Sequence, residues 1–493
     1  MGGLNSFSCA TGALALTFLA LPGCGDDEAC RTDNYPPAPE SAAGLVHVSA
    51  GCPGDEADGS ADHPYPTIQQ GVDNAQSGGA VLVASGIYAE NVSIAKPVLV
   101  IGAPPDAAAA DAAVVVQAPN PFAITVAEGT QGVLLQGLAI VSPIAVGVWV
   151  QGSAQVAIEG TRIEGAVRDS DGAYGYGGLA TDDGAFVLCR SVITGAALAG
   201  MLVSGGRGVI GWSSFRDNGG RGGIRVEMAS GEVSIHDSDF DGNAEVAIGA
   251  YSSAVRIERN TISNTQTAGA SKVGDGIVVS RLKDGDGAFL GEADAAIEGN
   301  TIQGNGRIGV LFSAGARGSV VGNQISANGL GAEFAAGIWA QAGAGGQDGL
   351  MITGNAIAGN QYVGIGLTSN ARATSAQNTA IDDTAAGMVF LGVDQVVIGD
   401  GIGVFDGAFA AIQGNVIKNS GRFGIILDTA DESATLDGNT VSGSAQFDIV
   451  VQNQAVAPDF SSNMFSGNAS GDSKVVGMAE QPFGVQKGDF ATP

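Results

Sequence analysis

Short apolar alternations, broken at fixed places by Asn or Gly, run through most of the chain. The clearest unit is Ala295 to Phe312, whose register is set by Ile297, Asn300, Ile302, Asn305 and Gly309-Val310-Leu311. The same register returns as Ile257, Asn260, Ile262 and Asn264; as Val320, Asn323, Ile325 and Asn328; and as Ile352, Asn355, Ile357 and Asn360. Further copies are Ile412, Asn415, Ile417 and Asn419; Leu436, Asn439 and Val441; and Phe460, Asn463, Phe465 and Asn468. Earlier copies place Leu138, Thr161, Ser191, Ser213 or Ser238 at the turn position, and successive turn positions lie mostly 22 to 25 residues apart. A fixed period with insertions marks a solenoid, because one unit cannot bury its apolar face alone.

Val255-x-Ile257, Ile277-x-Val279 and Ile425-x-Leu427 alternate over three or four positions before Gly or Asn intervenes, which predicts short strands and leaves no run long enough for an amphipathic helix. About 24 residues per coil accommodates three strands and three turns, each strand pairing in parallel with its copy at roughly 4.8 Å. The prediction is an all-β fold, a single parallel β-helix of roughly 13 to 15 coils. Asn260, Asn300, Asn323, Asn355, Asn415, Asn439 and Asn463 would stack as a ladder that satisfies turn backbone. The Gly before each Ile-x-Val strand is read as supplying positive φ at the corner.

The Ile-x-Gly-Asn-x-Ile … Asn … Gly-Ile-x-Leu units resemble the right-handed parallel β-helix repeats of the pectate-lyase-like superfamily, over roughly residues 81 to 468. The resemblance implies a right-handed solenoid. It does not choose a function, since that scaffold carries lyases, hydrolases, epimerases and adhesins.

Flanking segments divide the rest. Residues 1–23 hold the apolar run Ala10 to Leu21, too short for a permanent span and read as a signal peptide. Leu21-Pro22-Gly23-Cys24 resembles a bacterial lipobox, which implies acylation of Cys24, and Gly25 rather than Asp after it implies an outer-membrane or surface lipoprotein. The alternative is an ordinary secretory signal and a secreted protein. Residues 24–44 read as a flexible tether. Residues 45–80 hold a leading strand and a short capping helix, with Thr67 and Gln70 placed as a capping box before Val72 and Ala75. The β-helix follows over 81–469, with an Ala-rich loop at Ala107 to Ala113, one or two coils plus an insertion at 372–410, and a tail at 470–493 folded over the last coil. Cys30 and Cys52 are candidates for a disulfide in an oxidising compartment, and Cys189 reads as a small buried apolar residue.

Charge narrows the partners. A net charge of −29 repels nucleic acid, anionic lipid headgroups and polyuronates. Membrane contact is therefore expected only through the lipid anchor. Lyases of the resembled superfamily use Ca²⁺ with an Arg or Lys base, and its polygalacturonase branch an Asp triplet with Gly-His-Gly and Arg-x-Lys. Asp182-Asp183 and Arg281-Leu282-Lys283 occur in that order, but no Gly-His-Gly exists, so these residues, with Asp382-Asp383, are weighed as catalytic candidates against a reading as solvated turns. His47, His63 and His236 are scattered. Asp237-x-Asp239-x-Asp241-Gly242 begins like an EF-hand loop but has Ile248 where the bidentate Glu belongs. The loops at Asp169-x-Asp171 and Asp284-x-Asp286 are possible loose Ca²⁺ sites, and no other cofactor is expected. Two readings stay open. The first, and the preferred one, is a non-catalytic envelope rod that binds polysaccharide or another envelope component. The second is a polysaccharide lyase or glycosidase whose acidic groove is walled by insertions at Arg168 to Asp183, Lys272 to Glu292 and 372–410.

Overall fold

A computed structural model describes residues 42–52, 56–102, 114–268, 272–329, 332–391, 394–454 and 456–476. The signal, Cys24, Cys30, most of the tether, the loop at Ala107 to Ala113 and the end of the tail lie outside the described residues. The described part is a parallel β-helix. Each coil contributes one strand to each of three parallel sheets, here called a, b and c, and each kind occurs 15 times among the described residues. The chain divides into two compact units, Met1–Phe215 and Arg216–Pro493.

In the first unit a representative coil is Gln155–Glu159 (a), Arg162–Glu164 (b) and Tyr176–Thr181 (c). Its inward residues stack on their equivalents: Ile158 lies between Leu135 and Leu188, and Ile163 between Ile140 and Ile193. The unit opens with strand Leu45–Val48 paired to Gly79–Val83 and with helix α1, Ile68–Asn74. Thr67 caps α1 by accepting from the Gln70 N–H at 3.1 Å, while the Glu90 carboxylate accepts from the Ile68 and Gln69 amides. Ile68, Val72 and Ala75 are buried, the stripe their spacing predicts.

In the second unit a representative coil is Val233–His236 (a), Asp239–Asp241 (b) and Glu245–Tyr251 (c). Inside it run unbroken aliphatic columns such as Ile235–Ile257–Ile297–Val320–Ile352, every member fully buried. Each such side chain removes apolar surface worth about 1.5–3 kcal/mol from water. The columns explain why Ile, or another aliphatic residue, recurs at the same place in most coils.

Between a and b strands runs the Asn ladder. The Asn300 N–H and Nδ2 both donate to Asn323 Oδ1, at 2.8 and 3.0 Å, and the pattern repeats from Asn323 to Asn355. It passes through Asn378 to Asn415, Asn439 and Asn463. Asn378 fills the apparent gap between Asn355 and Asn415. A second ladder between b and c strands joins Asn305, Asn328 and Asn360. Asn264 and Asn419 stand one place short of it: they take left-handed corners (φ 55° and 49°), and Thr265 and Ser420 behind them are the buried residues.

Two expectations need correction here. The Gly before each Ile-x-Val strand is not there for its φ. At Gly309 an added Cβ would fall 2.6 Å from the Gly337 carbonyl oxygen of the next coil, so close backbone stacking excludes a side chain. Positive φ belongs instead to the residue before most ladder Asn, usually Gly, as at Gly299 (63°) and Gly322 (64°), but Arg259 (53°) before Asn260 and Gln377 (51°) before Asn378. Likewise, Cys189, read as a small apolar residue, is buried in an a strand but disulfide-bonded; Cys52 is buried with a free thiol, and Cys30 lies outside the described residues.

Within 372–410 there is one coil, Arg372–Ala376, Ala380–Asp382 and Asp400–Phe405, interrupted by an antiparallel hairpin of Gly387–Leu391 with Asp394–Ile398. The repeat also reaches into the expected tail, since Gly471–Val476 pairs in parallel with Phe447–Gln452. No described helix is long and apolar enough to cross a membrane.

Candidate functional site

The acidic and basic candidates from the sequence are dispersed. Asp182 and Asp183 form the exposed left-handed turn (φ 49° and 71°) after strand Tyr176–Thr181, and Asp183 lies 3.8 Å from Arg207. Arg281 and Lys283 belong to a small hairpin, Leu282–Lys283 with Phe289–Leu290. There the Arg281 Nε donates to the Gly291 carbonyl, and both cations lie over the Phe289 ring, at 4.3 and 5.0 Å. Asp382 faces outward on a b strand and accepts from Asn419 Nδ2, and Asp383 is an exposed corner.

The Asp237, Asp239 and Asp241 carboxylates diverge onto separate partners. Asp237 binds Arg259, Asp239 binds Arg216, and Asp241 accepts from Ser263 and Asn264. The Arg259 guanidinium holds the Asp237 carboxyl below the usual range, with His236 adding to the effect. Asp169 accepts from the Tyr174 amide, and Asp284 from the Asp286 and Ala288 amides, so both loops turn on their own backbone. Among the described residues no three His, Cys, Asp or Glu side chains are placed to hold a metal.

What the fold does assemble is aromatic. In the first unit the outward column of sheet c runs Ser93, Thr125, Trp149, Leu179, Leu202. Trp149 is half-buried, and its indole Nε1 donates to Thr181 Oγ1 at 3.3 Å, which fixes the ring plane. Phe122, from the turn before strand Ile124–Val126, packs on it with ring centroids 4.7 Å apart. Tyr174, at the end of the insertion after Arg162–Glu164, meets Phe122 edge-on at 5.6 Å and Tyr176 edge-on at 6.4 Å. Leu179, Leu198 and Leu202 underlie the group. Phe122, Trp149 and Tyr174 each keep part of their surface open to solvent. The five c strands of this face, Val92–Ile94, Ile124–Val126, Val146–Val150, Tyr176–Thr181 and Ala199–Ser204, contain no charged residue. Lys96, just beyond the first of them, is tied to the Asp73 and Ala75 carbonyls. Apolar rings ringed by hydroxyls can stack on the C–H faces of a ligand while hydrogen-bonding its edge.

A family model described as a right handed beta helix region matches residues 146–283 and 274–441. The chain belongs to the right-handed β-helix family. Solved structures similar to this β-helix include pectate lyase Pel9A, at 12% identity over 81% of this chain and 80% of that one, TM-score 0.34. The periplasmic alginate epimerase AlgG matches at 13% identity over 80% and 78%, TM-score 0.36. The catalytic unit of a GH87 alpha-1,3-glucanase from Streptomyces thermodiastaticus strain HF3-3 matches at 13% identity over 87% and 68%, TM-score 0.35. No curated protein matches the chain by sequence.

In the second unit of the β-helix two insertions bring apolar side chains onto sheet c. These, at 327–335 and 383–399, both join a b strand to a c strand, and Phe334 from the first and Ile398 from the second pack on the outer face of sheet c. Phe334 packs edge-on against Trp339 at 4.7 Å and parallel to Tyr362 at 6.4 Å, and the Tyr362 hydroxyl donates to the Ala332 carbonyl. Along the outward column Val278–Leu311–Trp339, exposure falls from 7% to 2%, and Ile426 and Val450 further along are at 0%. The face is sealed there. Two Arg–Asp pairs are sealed with it: Arg307 with Asp275, and Arg422 with Asp400, Nε to Oδ1 2.8 Å.

Sequence reasoning missed the Trp149 platform. Its one legible signal was a Trp at the outward position of Gly147-Val148-Trp149-Val150; Phe122 and Tyr174 come from turns that no periodicity places.

Proposed function

We propose that this β-helix is a non-catalytic polysaccharide-binding protein of the cell envelope, exported and held by a lipid on Cys24, and that the outer face of sheet c in the first unit is its binding surface. The observation that carries this reading is the Phe122–Trp149–Tyr174 platform, ordered by ring contacts and the Trp149–Thr181 hydrogen bond yet open to solvent. Half-exposed, pre-oriented aromatic rings lose little conformational entropy on binding and offer large contact area.

The reading is tested by incubating the purified chain with a panel of soluble polysaccharides, with and without Ca²⁺, and following two readouts. Gel retardation by at least one polysaccharide, without new reducing or unsaturated chain ends, is the expected result. Chain ends above a boiled control would replace binding with lyase or glycosidase activity. The absence of both would leave the platform without a glycan role. Palmitate labelling in a bacterial host, lost in a Cys24→Ala variant, tests the anchor.

A further inference from the structure

Around the aromatic platform, hydroxyl groups and carboxylates are distributed in a way that bears on ligand charge. The side chains that border the rings on the sheet are Ser93, Thr125, Thr181 and Ser204, with Thr181 and Ser204 paired in register on adjacent strands. None carries charge. The rim is different: Asp182 and Asp183 follow Thr181 directly, Glu128 sits in the turn after strand Ile124–Val126, and Asp171 in the insertion before Tyr176; all four are exposed. Of the cations on that rim, Arg207 lies 3.8 Å from Asp183, and exposed Arg168 precedes Asp169 in the chain; with Asp169 the rim holds five carboxylates to two arginines.

We infer that the platform selects a neutral pyranose polysaccharide and excludes polyuronates, an inference that rests on the binding role proposed above. A uronate chain carries one carboxylate per residue. To dock here it would bring those charges onto a floor that has no Lys or Arg among its strands and toward a rim where carboxylates outnumber the two arginines, so that charge-assisted hydrogen bonds do not offset desolvation along the chain. Neutral pyranose rings meet neither obstacle. Their C–H faces stack on Trp149 and Phe122, and their hydroxyls exchange water for Thr181 and Ser204 hydroxyls. The selectivity is thus electrostatic exclusion added to neutral attraction, which is specificity by a repulsive element.

The test uses one backbone in two charge states: a soluble neutral glucan, and the same glucan oxidised at C6 to the glucuronate. Affinity electrophoresis of the full chain should show the neutral form retarding it with little dependence on salt. At low salt the oxidised form should bind about tenfold or more weakly, and the gap should narrow at about 0.5 M NaCl as the rim charges are screened. Asp182→Asn with Asp183→Asn, on an exposed turn where Asn tolerates positive φ, should improve the oxidised form and leave the neutral form unchanged. Trp149→Ala should weaken both, and Trp149→Phe should restore part of the loss, showing that the ring and not the fold is at stake. Equal or tighter binding of the oxidised glucan, still dependent on Trp149, overturns the neutral preference and leaves the binding role intact. Retardation by neither form, or retardation indifferent to Trp149→Ala, overturns the binding role and the inference with it.

Discussion

Replacing Asn323 by Ala tests whether the ladder holds the coils together. Its Oδ1 accepts from the Asn300 N–H and Nδ2 at 2.8 and 3.0 Å, and its Nδ2 donates to the Ile297 and Val321 carbonyls and to Asn355 Oδ1 at 3.0, 3.1 and 3.0 Å. Truncation removes all five bonds. Asn355 Oδ1 keeps the Asn323 N–H, and Asn300 Nδ2 keeps the Ile257 carbonyl, so those two groups stay partnered. The Asn300 N–H and the side-chain bond of the Ile297 carbonyl are not replaced. At about 1–3 kcal/mol per buried group left unsatisfied, the expected loss from the two is about 2–6 kcal/mol. Urea unfolding followed by far-UV circular dichroism measures it, with Gln324→Ala on the exposed b-strand face expected within about 0.5 kcal/mol of the parent. Native-state hydrogen exchange adds a local readout: the Asn300 amide should lose protection more than amides several coils away, because a solenoid couples chiefly to nearest neighbours. A loss under about 1 kcal/mol with Asn300 still protected would refute the ladder as a source of stability.

Arg422→Ala should cost about 3–5 kcal/mol, because it leaves Asp400 at 0% exposure without its cation, and a double replacement of both residues by Leu should recover most of that; urea midpoints decide. Gly366→Val should destabilise by about 1–3 kcal/mol, since even a Cβ would fall 2.1 Å from the Trp339 ring; an unchanged melting temperature would contradict the sealed face. Burial pushes the Asp428 carboxyl up, with hydrogen bonds from Asn453, Gln452 and Thr429 opposing it. The folded state therefore binds the proton more tightly than the unfolded one, and this contribution to stability is greatest below the ordinary carboxylate value and is lost as pH rises through the raised folded value. The parent should accordingly gain stability relative to Asp428→Asn as pH is lowered from neutrality into that window, and a gain in the opposite direction would count against the burial.

The solenoid was readable because its two requirements are periodic. A thin core needs an aliphatic residue at each inward place, and buried corners need a side-chain amide; Ile297-x-x-Asn300-x-Ile302 announces both. Where one requirement was met differently, the pattern faded. Asn378 went unseen because its coil has Ser375 at the inward place that Ile352 and Ile412 take in the coils on either side. The Gly of Gly-Ile-x-Val was visible, but its reason was not, since close approach to the next coil's carbonyl leaves the same mark as positive φ. The insertions were also visible as breaks in the period, but not that Phe334 and Ile398 would turn back onto sheet c and close it. Burial of these two side chains has a physical reason, because on a groove wall they would face water, as Met388 and Val397 of the Ile398 insertion do. The acidic pairs drew attention through charge alone. The aromatic platform, built from Phe122, Trp149 and Tyr174 across three separate stretches, depends on the stacking of coils that a linear reading cannot lay side by side.

The most direct measurement is the dissociation constant of the full chain for a retained neutral polysaccharide, compared with Trp149→Ala and with Trp212→Ala, the latter removing a 44%-exposed tryptophan from an a-to-b turn. Loss of a ring that anchors the ligand, worth about 2 kcal/mol, should weaken binding roughly thirtyfold for Trp149→Ala while Trp212→Ala matches the parent. Equal affinity of all three proteins would contradict the claim that sheet c of the first unit is the binding surface.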